Sequence, residues 1–216
     1  AREQWVLLQR SPAELGARGR EGWCILASEN SRALHRGLDP FTPGELERWV
    51  ELLRARQRSL AAEGSAYLYV LCPNKQTIYP EQVPADCAPL GPTRLDQLAV
   101  RLAQERDLPF LDLRPILRAE RAGDRPEDRL YTTHGSHWNG RGAYAVYRAI
   151  LTRLRERFPE LVLLEPEQLE REEVRDVPES LAHQLYLEDR LAQGQYDFVR
   201  RGGAGYEVLK PSFEAL

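Results

Sequence analysis

Two histidines, a tryptophan and an asparagine fall within six positions, His134-Gly-Ser-His-Trp-Asn139. An imidazole titrates near pH 6.5 and can take up and return a proton near neutrality, which makes His137 the candidate general base. Acyl chemistry through such a base needs a serine nucleophile, an orienting carboxylate and N–H donors for the oxyanion. Asn139 and, on a separate stretch, Asn74 carry amides that could serve an acyl oxyanion or a sugar hydroxyl. Tyr79, Tyr131 and Trp138 could stack on a sugar ring, and Arg141 could pair with a uronate carboxylate. Each also has a structural use: aromatics pack, asparagines cap turns and an arginine can sit solvated. His134 and His137 are three apart, but in a glycine-containing loop with no acidic neighbour, so no metal or other cofactor is expected there.

The elements that must position these residues are legible in the periodicity. Gly140 and Gly142 follow the cluster, and Ala143–Arg157 reads as a helix with Tyr144, Tyr147, Ile150, Leu151 and Leu154 inward. The cluster therefore sits at a helix N-terminus, where unpaired backbone N–H groups favour anionic groups. Ala66–Cys72 is apolar throughout, as expected of a strand covered on both faces, and Pro73 stops it. Asn74, Lys75 and Tyr79 then lie past the strand's carboxyl end, where open α/β sheets bind ligands. Thr42-Pro-Gly-Glu45 is a helix start with Thr as cap and Pro in the first turn. That helix runs to about Glu63 with the stripe Leu46, Trp49, Val50 and Leu53, and Gly64 ends it.

Trp23–Ala27 reads as a buried strand after a loop at Pro12–Gly22, and Trp5–Gln9 as a short edge strand. Thr93–Asp107 is a second helix, with Leu95, Leu98, Ala99 and Leu102 on one face. Pro109–Leu113 is another strand and Arg114–Glu120 a short helix. Beyond the His137 helix, Leu161–Leu164 is a further strand or extended segment, Glu165–Arg175 helical, Leu181–Gln193 amphipathic, Gln195–Gly205 polar and glycine-rich and Tyr206–Leu209 a last strand. Strands alternating with helices give an α/β fold with a mainly parallel sheet flanked by helices. Right-handed crossovers bring the Asn74 and His137 loops to one edge.

The 216 residues fit one domain, and 30 Lys and Arg against 33 Asp and Glu leave a net charge of −3. The arginines are interleaved with glutamates, so no nucleic acid is expected. No apolar run approaches a membrane span. The chain begins at Ala1 without a leader-like segment, read as a processed chain whose targeting segment has been removed. Cys24, Cys72 and Cys87 form no Cys-x-x-Cys pair. Cys72 and Cys87 bracket a proline-rich loop; a disulfide there and a reduced, buried Cys72 are both open.

Three blocks taken in order carry a resemblance: Gly22-Trp-Cys-Ile-Leu26, Cys72-Pro-Asn-Lys-Gln-Thr-Ile-Tyr-Pro-Glu-Gln-Val-Pro84, and Leu130 to Gly142 with its His-Trp-Asn. Together they resemble the SGNH-hydrolase-like domain of the alginate O-acetyltransferase family, the AlgJ/AlgX group, over roughly Gly22 to Leu151. The resemblance implies an SGNH-hydrolase-like, flavodoxin-like fold and a carbohydrate O-acetyltransferase or acetylesterase working on an exopolysaccharide through an acyl-serine. It also implies a periplasmic or extracytoplasmic setting, a polysaccharide and an acyl donor as partners, and a membrane-associated acyltransferase as a further one.

Two departures bear on activity. Gly135 stands where the family has the Asp of Asp-x-His; Asp112 or a backbone carbonyl is the substitute at hand. In the family the nucleophile follows the His block as Gly-Asp-Ser-Phe. Here Tyr206-Glu-Val-Leu-Lys-Pro-Ser-Phe213 offers Ser212 with Lys210-Pro211 in front, and the sequence stops four residues later. Either the natural chain continues past Leu216, with the last elements of the domain, or Ser212 is not the nucleophile. Ser136 and Ser28 match the family's serine position less well. The alternative reading is therefore a catalytically impaired polysaccharide-binding or assembly protein on the same fold.

Overall fold

The computed structural model describes residues 16–26, 30–177, 181 and 193–200. In chain order, β1 (Gly16–Arg18) pairs antiparallel with β2 (Cys24–Leu26). Part of the expected Pro12–Gly22 loop is thus strand. A short helix α1 (Ser31–Arg36) and a long helix α2 (Pro43–Ala62) follow. Thr42 and Glu45 form the reciprocal capping box that the sequence announces, and Gly64 leaves the helix at a φ of 78° that a side chain would resist. Next come β3 (Tyr69–Leu71), a single-turn helix α3 (Lys75–Ile78) and α4 (Arg94–Leu102). β4 (Phe110–Asp112) leads directly into α5 (Leu113–Glu120), and α6 (Gly140–Arg155) follows the His137 loop.

β3 and β4 pair in parallel, Tyr69 opposite Phe110 and Leu71 opposite Asp112. A parallel pair needs a crossover, here supplied by α3 and α4. Side chains alternate cleanly across this pair. Tyr69, Leu71 and Phe110 join Val50, Leu53, Leu98 and Leu102 in the core beneath α2 and α4. Val70 and Leu111 face the other way, onto Leu113, Leu117, Ala145 and Val146 from α5 and α6. With both faces buried, neither strand can alternate apolar with polar, which is why Ala66–Cys72 reads as one apolar run.

Several expectations need correction. α6 begins at Gly140 rather than Ala143 because Asn139 caps it. Its deepest face is Gly142, Ala145 and Val146, not the Tyr144–Tyr147 stripe, whose hydroxyls instead bond the backbone of Leu164. Trp49 belongs to the expected stripe of α2 yet is 37% exposed. Leu169–Val177 is a strand, β5, paired antiparallel with β6 (Gln193–Arg200). Helix was expected for the first and a polar, glycine-rich stretch for much of the second. Glu and Arg are good helix formers, but long-range pairing overrides that local preference. Leu161–Leu164 belongs to no helix and pairs with no strand among the described residues. The expected elements at Trp5–Gln9 and Tyr206–Leu209, and nearly all of Leu181–Gln193, lie outside the described residues. Cys72 and Cys87 are both free thiols, so no disulfide closes the loop between them, and Cys72 is exposed rather than buried.

Candidate active site

The loop between α5 and α6 is closed at its neck by an isolated bridge between Tyr131 and Trp138. Asn139 N–H donates to the Leu130 carbonyl at 3.0 Å, and Thr132 N–H donates to the His137 carbonyl at 3.3 Å. Residues between Thr132 and His137 therefore form a small lobe standing on a two-stranded stem.

What fixes the lobe is a residue that the sequence places on the ligand-binding loop without giving it a role. Lys75, the lysine of Pro-Asn-Lys, is only 2% exposed. Its Nζ donates to the carbonyls of Thr132 at 2.9 Å, Thr133 at 3.1 Å and Gly135 at 2.5 Å. An ammonium has three protons, and three loop carbonyls receive it, so the cost of burying the charge is met by charge-assisted bonds. The same Nζ lies 5.0 Å from the centre of the Trp23 ring, whose π-electrons also attract the cation. Cys24 N–H, on β2, donates to the Thr133 carbonyl at 2.9 Å. The Gly-Trp-Cys, Pro-Asn-Lys and His-Trp-Asn blocks, far apart in sequence, thus meet at one cation. The available signal was a lysine three residues past the apolar run, on the loop at the strand's carboxyl end.

A second set of contacts supports the stem. Tyr131 Oη donates to the Pro73 carbonyl at 2.8 Å. Tyr79 Oη donates to Asp124 at 2.7 Å and accepts from Leu130 N–H at 2.9 Å. Both tyrosines are 2% exposed, and burial pushes both phenols well above their ordinary pKa, with the Asp124 hydrogen bond adding to it at Tyr79. They stay neutral and structural. Rings so deeply covered cannot stack on a sugar, which corrects that expectation for Tyr79 and Tyr131.

Arg141 donates to Asp124 and the Asp128 carbonyl, both at 2.7 Å, and to the Glu120 carbonyl at 2.6 Å. Its guanidinium is consumed in joining α6 to the chain after α5, not left to meet a uronate. Asn139 likewise spends its amide, donating to the Arg129 carbonyl at 2.5 Å and accepting from Gly142 N–H at 3.1 Å. Gly142 has no room for a side chain: a Cβ would stand 2.7 Å from Trp138 Cβ and closer still to the Leu130 carbonyl oxygen.

Three of the expected residues remain available. His137 is exposed at the foot of the lobe, where its carbonyl accepts from Thr132 N–H, and among the described residues its imidazole has no hydrogen-bond partner. Asn74 is exposed and occupies the capping position of α3 without using its side chain to cap. Trp138 is half-buried, edge-on to Tyr131. The Asn74 and His137 loops are bonded through their neighbours Pro73–Tyr131 and Lys75–Gly135, at the carboxyl end of β3 as expected. Asp112 does not stand in for the missing acid: it caps α5 at Arg114 N–H and pairs with the Arg114 guanidinium at 2.7 Å. Ser212 and Ser28 lie outside the described residues. Among the described residues no group of three or more His, Cys, Asp or Glu is placed to hold a metal.

The parallel β3–β4 pair flanked by helices, with a histidine loop at its strand ends, fits the SGNH-hydrolase-like class. The family model described as the SGNH hydrolase-like domain of acetyltransferase AlgX matches residues 17–202, and the chain belongs to that family. Solved structures agree on the fold. The O-acetyltransferase domain of Pseudomonas putida AlgJ superposes with a TM-score of 0.55 at 18% identity, over 85% of this chain and 63% of its own. Bacillus cereus PatB1, solved with a sulfonyl adduct, gives 0.55 at 14% identity over 76% and 52%. Pseudomonas aeruginosa AlgX gives 0.50 at 17% identity over 90% and 50%. The chain thus spans between half and two thirds of these structures. No curated protein matches.

Proposed function

We propose that this chain is a carbohydrate O-acetyltransferase or acetylesterase domain acting on an exopolysaccharide in the periplasm or another extracytoplasmic space. A serine Oγ attacks the acetyl carbonyl of the donor and loses its proton to His137 Nε2 or Nδ1, the tetrahedral intermediate collapses, and the imidazolium protonates the leaving group. A sugar hydroxyl, or water in the esterase case, then attacks the acyl-serine, with His137 taking its proton and returning it to the serine. Ser212 is the nucleophile in this reading, the Asn74 amide serves the oxyanion or the sugar, and Trp138 offers its exposed edge to the glycan. The acyl donor is a protein or small molecule, handed over with the help of a membrane-associated acyltransferase.

The observation that carries the proposal is an exposed imidazole, without a protein partner among the described residues, on a lobe held by a buried ammonium. Such a lobe holds its backbone in place while leaving the imidazole available to a substrate. Release of chromophore from a chromogenic acetyl ester tests it. Turnover that falls to background in His137→Ala and in Ser212→Ala is expected. Turnover equal in all three proteins would sink the mechanism.

Gly135 favours a second reading, since a glycine cannot orient the ring. In it the chain keeps the fold and binds polysaccharide without turning it over. Glycan binding with no ester turnover above the His137→Ala control would select it.

A further inference from the structure

α2 carries three stripes. Leu46, Val50 and Leu53 lie on the core side. Glu47 and Arg54 lie on one flank, where they pair with Arg101 on α4 and Glu105 just past it, both at 2.6 Å. The other flank carries Glu45, Trp49, Leu52 and Arg56. Trp49 is 37% exposed and Leu52 43%, and Arg56 is exposed beyond them. Steps of four, three and four residues are the spacing of a helix–helix seam, because side chains repeating every 3.5 residues line up along one side.

Phe41 extends the apolar floor beside this seam. Its ring lies 6.3 Å from Trp49 at a tilt of 54°. Gln97 fixes its backbone, accepting from the Phe41 N–H at 2.8 Å and donating to the Phe41 carbonyl at 3.1 Å. The open depression between Phe41, Arg48, Trp49 and Leu52 measures about 250 Å³. That is below the roughly 300–1,000 Å³ of a small-molecule pocket, and leaves room for a side chain arriving from outside.

The stripe is its own complement. The midpoint of Trp49 and Leu52 falls between Val50 and Glu51, and so does the midpoint of Glu45 and Arg56. Turned about that point, α2 lies antiparallel on a copy of itself, with Trp49 against the partner's Leu52 and Glu45 against the partner's Arg56. At 1.5 Å per residue the two charges stand about 8 Å along the helix from the axis, one at each end of the apolar patch. A parallel pair in register would set Glu45 on glutamate and Arg56 on arginine, so the charges select the antiparallel one. Arg56 joins no ion pair among the described residues. Glu45 accepts from Thr42 N–H and Oγ1 through Oε2 alone, both at 2.8 Å. Those bonds hold its pKa below the ordinary carboxylate value, so it is an anion at neutral pH.

We infer that this flank of α2 is a two-fold interface between two copies of the chain, with Trp49 packed on the partner's Leu52 at the centre and Glu45 paired with the partner's Arg56 at both ends. Such a contact uses the same patch twice and closes on itself. An aromatic centre inside a charged rim is the usual build of an interface. One helix seam buries less than the roughly 1,200–2,000 Å² of a standing complex, so the dimer is reversible, with a dissociation constant on the order of 10 μM. His137 and Asn74 lie off the seam, and the inference does not rest on the activity proposed above.

The test is sedimentation velocity of the whole chain between about 1 and 200 μM, a range that brackets that constant. The parent should pass from monomer to dimer across it. Trp49→Ala and Arg56→Glu, both at exposed positions, should each weaken the dimer about tenfold or more. Glu45→Lys, which leaves Thr42 Oγ1 its bond from the residue 45 N–H, should do the same. An equimolar mixture of Glu45→Lys and Arg56→Glu should regain the dimer, because opposite charges then meet at both ends of the mixed pair. Circular dichroism checks that each variant folds. A parent that stays monomeric at the highest concentration overturns the inference. So does a dimer that survives Trp49→Ala, or a mixture of the two folded charge variants that associates no better than either alone.

Discussion

Replacing Lys75 by Met removes the cation at the centre of the site and keeps most of its volume. Three carbonyl acceptors lose a charged donor, and bonds of this type are worth about 1.5–3 kcal/mol each. Against that loss, the folded chain no longer has to take an ammonium out of water, which returns several kcal/mol. Cys24 N–H still serves the Thr133 carbonyl, so the loss concentrates at Thr132 and Gly135. The balance is a destabilisation of about 2–4 kcal/mol. For a chain of this size that lowers the thermal midpoint by about 5–15 °C. Lys75→Arg should recover only part of it, because a planar guanidinium cannot direct three protons to carbonyls arranged around a point charge. Thermal unfolding by circular dichroism gives the midpoint. Hydrogen exchange at the Thr132 amide, which is bonded to the His137 carbonyl, reports on the lobe itself. A Lys75→Met midpoint equal to that of the parent, or unchanged protection at Thr132, would refute the idea that the ammonium holds this lobe.

Gly135→Asp should raise ester turnover by about 10², since losing the orienting carboxylate costs triad enzymes about 10⁴. Gly135 is not among the described glycines with a left-handed φ, and a folded variant no faster than the parent would end the impaired-triad reading. His35 is held below its ordinary pKa of 6.5 by burial. The folded state therefore binds fewer protons than the unfolded one below that pH, and its contribution is fully present above pH 6.5 and lost as the pH falls toward the lowered value. Thermal midpoints measured from pH 7 to pH 5 should fall in the parent and fall less in His35→Phe; identical slopes would count against His35 as the cause.

The readable parts of the fold are those where local chemistry and tertiary demand coincide. Thr42 and Glu45 announce a capping box and form one. The parallel β3–β4 pair is apolar because α2 and α4 cover one face and α5 and α6 the other. β5 was misread because its Glu- and Arg-rich sequence has helical preference, and only its partner β6, remote in sequence, makes it a strand. At the site, residue types pointed to a loop that the fold anchors, but not to the duties within it. Tyr79, Tyr131, Asn139 and Arg141 carry the polar groups that a sugar would want, and the fold spends all four on itself. Their burial depends on contacts with Pro73, Asp124, Arg129 and Glu120, which no local pattern encodes. Lys75 was missed for the converse reason: a lysine reads as surface until three carbonyls are found around it.

Lys75, the Cys24 N–H and the stem bonds hold the His137 lobe by its backbone. Lys75 and the Cys24 N–H bind carbonyls, and the Tyr131–Trp138 bridge and the Thr132 N–H close the stem. None of them passes through the His137 ring. In a Ser-His-Asp site the carboxylate does a separate job: it sets the tautomer and direction of an imidazole whose backbone is already in place. Here the two jobs fall to different residues, so the second can be lost at Gly135 without loosening the first. That separation explains how the His-Trp-Asn and Pro-Asn-Lys blocks persist together beside a missing acid. It also makes the proposed activity, more than the fold, the property that hinges on position 135.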